Sequence, residues 1–116
     1  MTVQNRGMQD LIPEVRIPME EVIERMHMPE ICITYGQTEA SPATTMSKTT
    51  DSIETRVNTV GGPIFGVECK IVDPETGEEV GDNVDGEFCA RGYNIMKGYY
   101  KMPKATASAI DKDGWL

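Results

Sequence analysis

The stretch from Pro18 to Gly36, PMEEVIERMHMPEICITYG, decides the fold class. Its first part, Pro18–Met28, has apolar residues at i, i+3, i+4 and i+7, which is the spacing of one helical face. These residues are Met19, Val22, Ile23 and Met26. Pro18 suits the first helical position, and Pro29 marks the end. The β-branched run Ile31–Tyr35 follows directly, and a helix followed by a strand covered on both faces is typical of a parallel α/β sheet.

A different pattern governs the second half of the chain. Apolar and charged side chains alternate through Val67–Ile71 and again through Glu87–Arg91, which is typical of half-buried strands. Residues 73–77, Asp-Pro-Glu-Thr-Gly, have the composition of a turn. A short helix is predicted over Pro103–Ile110, because proline favours the first helical position. This half therefore predicts a small antiparallel sheet or part of a barrel, followed by a helix.

Together the two halves predict a mixed α/β fold. The strand and helix at the end of a parallel α/β sheet would precede a small antiparallel, barrel-like subdomain. We leave residues 1–16 unassigned, place the end of the α/β subdomain at 17–60 and assign 61–116 to the β-rich subdomain. The polar segment Gln37–Val60 is long for a plain connection, so we expect it to be functional or to need a partner domain.

Net charge limits the classes of partner. The formal charge is −8 and no cluster of lysines or arginines is present. Nucleic acids and anionic membrane surfaces require the opposite sign, so the sequence predicts neither as a partner. An anionic ligand such as a nucleotide would need backbone N–H groups, hydroxyls or a metal ion. No apolar run approaches the roughly eighteen residues of a spanning helix, so we expect no transmembrane segment.

The cysteines indicate a reducing compartment. Cys32, Cys69 and Cys89 are far apart and odd in number, which fits neither a disulfide framework nor a zinc site. All three lie among strand-like residues, so we expect buried, reduced thiols. His27 is the single histidine and is predicted to be solvated. The opening residues, Met1–Asp10, show no secretory signal, so we expect an intracellular protein, either cytoplasmic or mitochondrial.

The candidate site is the motif Tyr35–Glu39, Tyr-Gly-Gln-Thr-Glu, which emerges where the predicted strand ends. In open α/β sheets, ligands bind beyond the carboxyl ends of the strands. Gly36 allows backbone to approach a ligand closely, and Tyr35 offers a flat aromatic face. Thr38 can donate to a phosphate oxygen, and Glu39 is a hard ligand suited to Mg²⁺. These are the parts of a nucleoside-triphosphate site, although an ordinary strand-end loop can have the same composition.

Tyr-Gly-x-Thr-Glu resembles the adenine- and magnesium-contacting motif of the adenylate-forming (AMP-binding) family. That family includes acyl-CoA synthetases, luciferases and peptide-synthetase adenylation domains. A second block, Gly86–Gly92 followed by Met96, Gly98 and Tyr99, is similar to the family's Gly-Glu…Arg-Gly…Gly-Tyr block and stands at the same order and spacing. Further stretches that resemble the family are Val60–Pro63, Lys70–Gly77 and Ala107–Leu116. The resemblance covers about residues 19–116 and is greatest to fatty acyl-CoA synthetases of medium-chain type.

The resemblance implies a ligase reaction in two steps. A carboxylate and MgATP would give an acyl-adenylate and pyrophosphate, and coenzyme A would then displace AMP to form a thioester. The substrate implied is a fatty acid or another carboxylic acid. Residues 17–60 would then end a nucleotide-binding subdomain, and the block at 86–99 would be mainly architectural.

The resemblance also assigns roles to single residues. For the nucleotide these are Tyr35 and Gly36 bordering adenine, Gln37 beside it, Thr38 on phosphate and Glu39 on Mg²⁺. The residues implied near the acyl pocket are Ala40, Ser41 and Pro42. In this arrangement Mg²⁺ would offset the charge that develops on the phosphates.

Several parts of the family pattern are missing from this sequence. They are the Ser/Thr/Gly-rich phosphate loop, the ribose-binding aspartate, and the mobile C-terminal domain with its catalytic lysine. Since no catalytic set is complete, we expect no ligase activity from these 116 residues alone. The main hypothesis is a fragment of a fatty acyl-CoA synthetase whose remaining domains are its partners. The alternatives are a truncated product acting as a binding module and a fragment of an amino-acid adenylation domain.

Overall fold

The computed structural model of the 116-residue chain describes the backbone of residues 2–3 and 12–116 and the side chains of residues 18–116. Its helices and strands are β1 (Thr2–Val3), α1 (Ile12–Met26), β2 (Thr34–Gly36), β3 (Ala43–Met46), α2 (Ile53–Asn58), β4 (Gly62–Pro63), β5 (Val67–Val72), β6 (Gly86–Gly92) and α3 (Pro103–Ala109). A 3₁₀ turn at Thr38–Ala40 lies between β2 and β3. The mixed α/β class is confirmed.

The strands form two three-stranded sheets with the orders β1-β6-β5 and β2-β3-β4. β5 and β6 form a hairpin whose register runs from Val67 opposite Gly92 to Val72 opposite Glu87. The predicted antiparallel sheet and the helix beginning at Pro103 are therefore confirmed. Every strand pairing in the described part of the chain is antiparallel, including the pairing of β2 with β3. The parallel neighbour expected for β2 is not among the described residues.

The first helix begins earlier than predicted. α1 runs from Ile12, so the predicted start at Pro18 is wrong and Pro18 lies inside the helix. Pro13 occupies the first turn, where its missing N–H costs nothing, whereas Pro18 removes a helical hydrogen bond. Met19 is only 3% exposed, as the predicted apolar face requires, but Met26 at the end of that face is 62% exposed. The remainder of the unassigned segment, apart from residues 2–3, lies outside the described residues.

The polar segment after the motif, Gln37–Val60, has secondary structure of its own. It contains the 3₁₀ turn, β3 and α2. β3 is the central strand of its sheet, and Thr44 and Thr45 within it are both buried. The hydroxyl of Ser52 accepts a hydrogen bond from the Thr55 N–H and begins α2 as an N-cap. The strand propensity of threonine and the capping serine explain why this polar stretch folds.

A buried arginine joins the two helices of the first half. Arg56, in α2, is 6% exposed, and its Nη1 donates to the carbonyls of Pro29 (2.8 Å) and Ile31 (2.7 Å). Those carbonyls belong to the link between α1 and β2, so the guanidinium fixes that link against α2. β2 itself begins at Thr34, three residues later than predicted. Ile33 precedes it in extended pairing with Ser47.

The three cysteines are free thiols, but each is half-buried rather than fully buried. Burial raises the pKa of the Cys69 and Cys89 thiols, so both are protonated and unreactive near neutral pH. His27 is exposed, as predicted, and has a φ of +55° directly after α1. Within the described residues, no helix has the length and apolar character needed to cross a membrane.

The last residues of the chain pack on the β5–β6 sheet. Two cations lie over the Trp115 ring, with Lys70 Nζ 4.2 Å and Arg91 Cζ 4.5 Å from its centroid. Arg91 also forms a bidentate pair with Glu68 at 2.8 and 3.2 Å. These contacts stabilise the position of the Trp115 ring on the sheet.

Asp111 closes the loop that leads to Trp115. Its Oδ1 accepts hydrogen bonds from the backbone N–H groups of Trp115 and Asp113, each at 2.9 Å. The Trp115 bond contributes most to holding the pKa of the Asp111 carboxyl below its usual value. Since the folded pKa is the lower one, the ionised carboxylate stabilises the loop above about pH 3.9, and this stabilisation is lost as pH falls through the folded pKa.

We predict that Asp111→Asn loosens the Trp115 loop at neutral pH because a neutral amide oxygen accepts the two N–H bonds less strongly. Trp115 is the single tryptophan, so acrylamide quenching of its fluorescence reports on this loop directly. Quenching should be greater in the variant at pH 7, and the difference should shrink as pH falls through the lowered pKa of the Asp111 carboxyl. The exposed Asp82→Asn serves as the control and should match the unmodified chain. Equal quenching of the Asp111 variant at pH 7 would contradict the prediction.

Candidate functional site

An open cleft of about 200 Å³ lies where the two sheets meet the end of α3. Its walls come from the β2-β3-β4 sheet, the β1-β6-β5 sheet and α3, so residues far apart in sequence converge there. The lining residues are Tyr35, Gly36, Gln37, Glu39, Thr44, Glu87, Phe88, Ala90, Tyr99, Ser108, Ala109 and Leu116.

The predicted motif forms one wall of this cleft. Tyr35, Gly36, Gln37 and Glu39 all line it, whereas Thr38 is exposed and outside the lining. Gln37 precedes the 3₁₀ turn with an extended backbone, φ −149° and ψ 165°. The strand therefore delivers the motif to the cleft at its carboxyl end.

The residues predicted near an acyl pocket lie beyond this wall. Ala40 is completely buried, while Ser41 and Pro42 are exposed. None of the three lines the cleft. Ser41 has a left-handed backbone, φ 53° and ψ 54°, which turns the chain back toward β3.

Gly36 lies where this returning chain comes closest. A Cβ built on Gly36 would stand 1.8 Å from the carbonyl oxygen of Pro42. Only glycine fits there. Packing therefore requires glycine at position 36, in addition to the predicted close approach of the backbone to a ligand. Beside it, Tyr35 packs edge-on against Phe88 of β6, with ring centroids 5.3 Å apart and planes at 86°. Burial raises the pKa of the Tyr35 phenol, which stays neutral.

Glu39 lies at the edge of the cleft and is held from the second half of the chain. The Tyr99 hydroxyl donates to Glu39 Oε1 at 2.6 Å, and the Met96 N–H donates to the Glu39 carbonyl at 2.7 Å. The Tyr99 hydroxyl, followed by the N–H of Glu39 itself, holds the pKa of the Glu39 carboxyl below its usual value. The same bond raises the pKa of Tyr99. Glu39 is therefore an ionised, oriented carboxylate at neutral pH.

This carboxylate fits a magnesium site shared with a ligand. Among the described residues no group of three or more His, Cys, Asp or Glu side chains could hold a metal ion. Mg²⁺ does not require such a group, because it is commonly held by one or two carboxylates, phosphate oxygens and water. The Tyr99 hydroxyl and the N–H of Glu39 itself use two of the carboxylate's roughly four acceptor sites, so Glu39 keeps capacity for a cation.

Asn94, in the loop after β6, is hydrogen-bonded to the turn that follows the motif. It is 7% exposed, and its Nδ2 donates to the carbonyls of Ala40 (2.9 Å) and Ala43 (2.7 Å). Asn94 was not predicted as a site residue, because asparagine in a loop has the composition of an ordinary turn residue. Tyr99 was predicted to be architectural, although its place within the second motif block was an available signal.

Comparisons with known proteins agree on one family. The profile described as "AMP-binding enzyme" matches residues 7–100 of this chain. The Bacillus subtilis (strain 168) protein YngI, described as an acyl-CoA synthetase, is 53% identical over 98 residues, covering 84% of this chain and 18% of YngI. The 4-coumarate–CoA ligase 1 of Arabidopsis thaliana is 46% identical over 84 residues, covering 71% of this chain and 15% of that enzyme.

A mitochondrial medium-chain acyl-CoA ligase of Bos taurus is 40% identical over 94 residues, covering 81% of this chain and 15% of the ligase. Among solved structures, ATP-bound MatB from Rhodopseudomonas palustris superimposes with a TM-score of 0.67 at 33% identity, covering 74% of this chain and 16% of MatB. The chain thus spans 15% to 18% of the length of these three curated relatives.

We predict that Gly36→Ala destabilises the fold by about 1–3 kcal/mol, because the added methyl group collides with rigid backbone. Gly62→Ala is the matched control, since a Cβ there meets nothing within 4 Å. Urea unfolding of both variants measures the difference. Similar midpoints for the two variants would show that the Gly36–Pro42 approach is not a constraint.

We predict that Asn94→Ala loosens the turn after the motif, because two carbonyls lose their donor. Amide hydrogen exchange of Ser41 and Met96 should become about tenfold faster. Lys97→Ala, an exposed change in the same loop, should leave both exchange rates unchanged. If the Asn94 variant exchanges like the Lys97 variant, the amide does not hold this turn.

Proposed function

Because the chain belongs to the AMP-binding enzyme family, we propose that it is part of an ATP-dependent ligase that joins a carboxylic acid to coenzyme A. The observation that supports this most is structural. Four residues of the motif, with Glu39 ionised at the edge, line one cleft. A nucleotide needs this combination of aromatic face, close backbone and hard carboxylate.

The proposed chemistry has two balanced steps. An oxygen of the substrate carboxylate forms a bond to the α-phosphorus of ATP, the bond from that phosphorus to the bridging oxygen breaks, and pyrophosphate leaves. The sulfur of coenzyme A then bonds to the acyl carbon, the bond to the AMP oxygen breaks, and the thiol proton is released. Mg²⁺, when bound, would neutralise charge on the phosphates.

In this proposal the motif binds and orients the nucleotide. The residues and their roles are Tyr35 and Gly36 beside adenine, Gln37 next to them, Thr38 on phosphate and Glu39 as the magnesium ligand. The exposed position of Thr38 leaves its hydroxyl accessible to a phosphate oxygen. The turn at Ala40, Ser41 and Pro42 would border the acyl pocket. Its backbone would contribute there, because the Ala40 side chain is buried.

We further propose that the chain works inside a longer polypeptide. Residues 17–60 would end its nucleotide-binding α/β subdomain, where β2 would join a parallel sheet, and 61–116 would belong to a β-rich, barrel-like subdomain. β4 extends the sheet of the first half as far as Pro63. Fully exposed Phe65 and mostly exposed Tyr93 support this proposal, because such aromatic surface commonly packs against other parts of a protein.

For the substrate we propose a fatty acid. The medium-chain relative supports that proposal, while the 4-coumarate ligase keeps an aromatic acid as the competing candidate. All three relatives are described as CoA ligases or acyl-CoA synthetases, which favours coenzyme A over an amino-acid adenylation domain. Free cysteines and the mitochondrial relative are consistent with our proposal of an intracellular enzyme, in the cytoplasm or the mitochondrion.

We predict that the longer polypeptide catalyses ATP–pyrophosphate exchange that depends on a fatty acid, and that Glu39→Gln lowers its rate about 100-fold. Glu78→Gln, an exposed change in the β5–β6 hairpin loop, is the matched control and should retain the rate. Comparing octanoate with 4-coumarate in the same assay decides the substrate class. Absence of exchange with every carboxylic acid tested would contradict the ligase proposal.

A further inference from the structure

Hydrogen bonds fix the backbone at Glu39, so its carboxylate can move only by rotation of the side chain. Its backbone carbonyl is fixed by the Met96 N–H at 2.7 Å, and the Asn94 amide fixes the next carbonyl, that of Ala40, at 2.9 Å. These backbone contacts do not set the direction in which the carboxylate points. The Tyr99 hydroxyl donates to Oε1 at 2.6 Å and, together with the N–H of Glu39 itself, orients the carboxylate.

Tyr99 is itself held in place by the first turn of α3. Its backbone N–H donates to the Thr106 hydroxyl at 2.9 Å, and that hydroxyl donates to the Met102 carbonyl at 3.0 Å. Gly98 makes the approach possible, because a Cβ there would stand 2.7 Å from Thr106 Cγ2. The sequence Gly98-Tyr99 therefore delivers a hydroxyl group to a defined point at the cleft edge, 60 residues away from Glu39.

We propose that Tyr99 is a positioning residue for the metal-binding carboxylate of Glu39, an inference that rests on the function proposed above. The hydroxyl occupies one acceptor site of Oε1 and turns the remaining acceptor sites toward the ligand. Carboxylates that bind metals are commonly oriented by such outer hydrogen bonds, and loss of one typically costs 10- to 100-fold in metal affinity. The second motif block is thus part of the nucleotide site rather than only its support.

A purely structural role for the Tyr99 ring predicts a different effect on metal-dependent binding. If Tyr99 mattered only through its ring, removing the hydroxyl would leave metal-dependent binding unchanged. Tyr99 is 37% exposed and Tyr100 is 84% exposed, so the adjacent tyrosine offers a control with the same chemical change. The Tyr100 ring lies under Lys101 at 5.2 Å, away from the cleft lining.

The experiment measures ATP binding by equilibrium dialysis to the longer polypeptide and its Tyr99→Phe, Tyr100→Phe and Glu39→Gln variants. Each is measured once with Mg²⁺ and once with EDTA. We expect Tyr99→Phe to weaken binding about tenfold with Mg²⁺ and to leave binding in EDTA unchanged. Tyr100→Phe should match the unmodified protein in both conditions. The binding in EDTA also shows that the Tyr99 variant is folded.

The outcomes separate this inference from the function on which it rests. If Glu39→Gln weakens magnesium-dependent binding and Tyr99→Phe does not, the positioning role is wrong and the proposed site stands. If Glu39→Gln has no effect with Mg²⁺, the metal assignment and the positioning role are both wrong. If Tyr99→Phe weakens binding equally in EDTA, its role is structural and the inference is overturned.

Discussion

The hydrogen bonds that the segment 94–99 makes to residues 39–43 are the constraint on which the arrangement of this structure depends. Asn94 and Met96 satisfy three carbonyls of that turn, and Tyr99 donates to its carboxylate. Buried backbone carbonyls need partners, so the turn after β2 packs where the segment 94–99, which follows β6, supplies donors. The position of the cleft between the sheets follows from this requirement.

Apolar packing contributes to this arrangement mainly through small side chains. Among the residues whose side chains are described, the buried hydrophobic ones are few, with Ala40 and Ala90 among the most completely buried. Phe65 and Tyr93 are largely exposed. The hydrogen-bonded turn and the Tyr35–Phe88 contact therefore account for much of the specificity with which the two halves meet. The same features make the cleft a joint product of both halves.

Much of the fold could be predicted because the relevant signals are local. The alternation that defines β5 and β6 and the proline that begins α3 are each contained in a few residues. The start of α1 could not be predicted in the same way, since the local rule for proline at a helix start applies to Pro13 as well as to Pro18. β3 is polar in sequence and became a central strand through its pairing on both sides, which is a tertiary effect.

In the candidate site, too, the local features could be predicted and the long-range contacts could not. The motif at the end of β2 was identified from residue types and from its resemblance to a family, and its clustering at a cleft is a local consequence of the strand. The contact between Glu39 and Tyr99 spans 60 residues, and no periodicity within either segment indicates it. Asn94 likewise acts on backbone atoms more than 50 residues away. Such long-range hydrogen bonds depend on the final positions of both sheets.

We propose that the Tyr35–Glu39 motif borders the adenine of a bound nucleotide. Photolabelling of the longer polypeptide with 8-azido-ATP, followed by tryptic peptide mapping, tests it directly. Cleavage after Arg25 and Lys48 releases the motif in a single peptide, residues 26–48. We expect label in this peptide, and excess ATP should remove it. Label that ATP removes only from other peptides, with none in 26–48, would contradict the assignment of the nucleotide site.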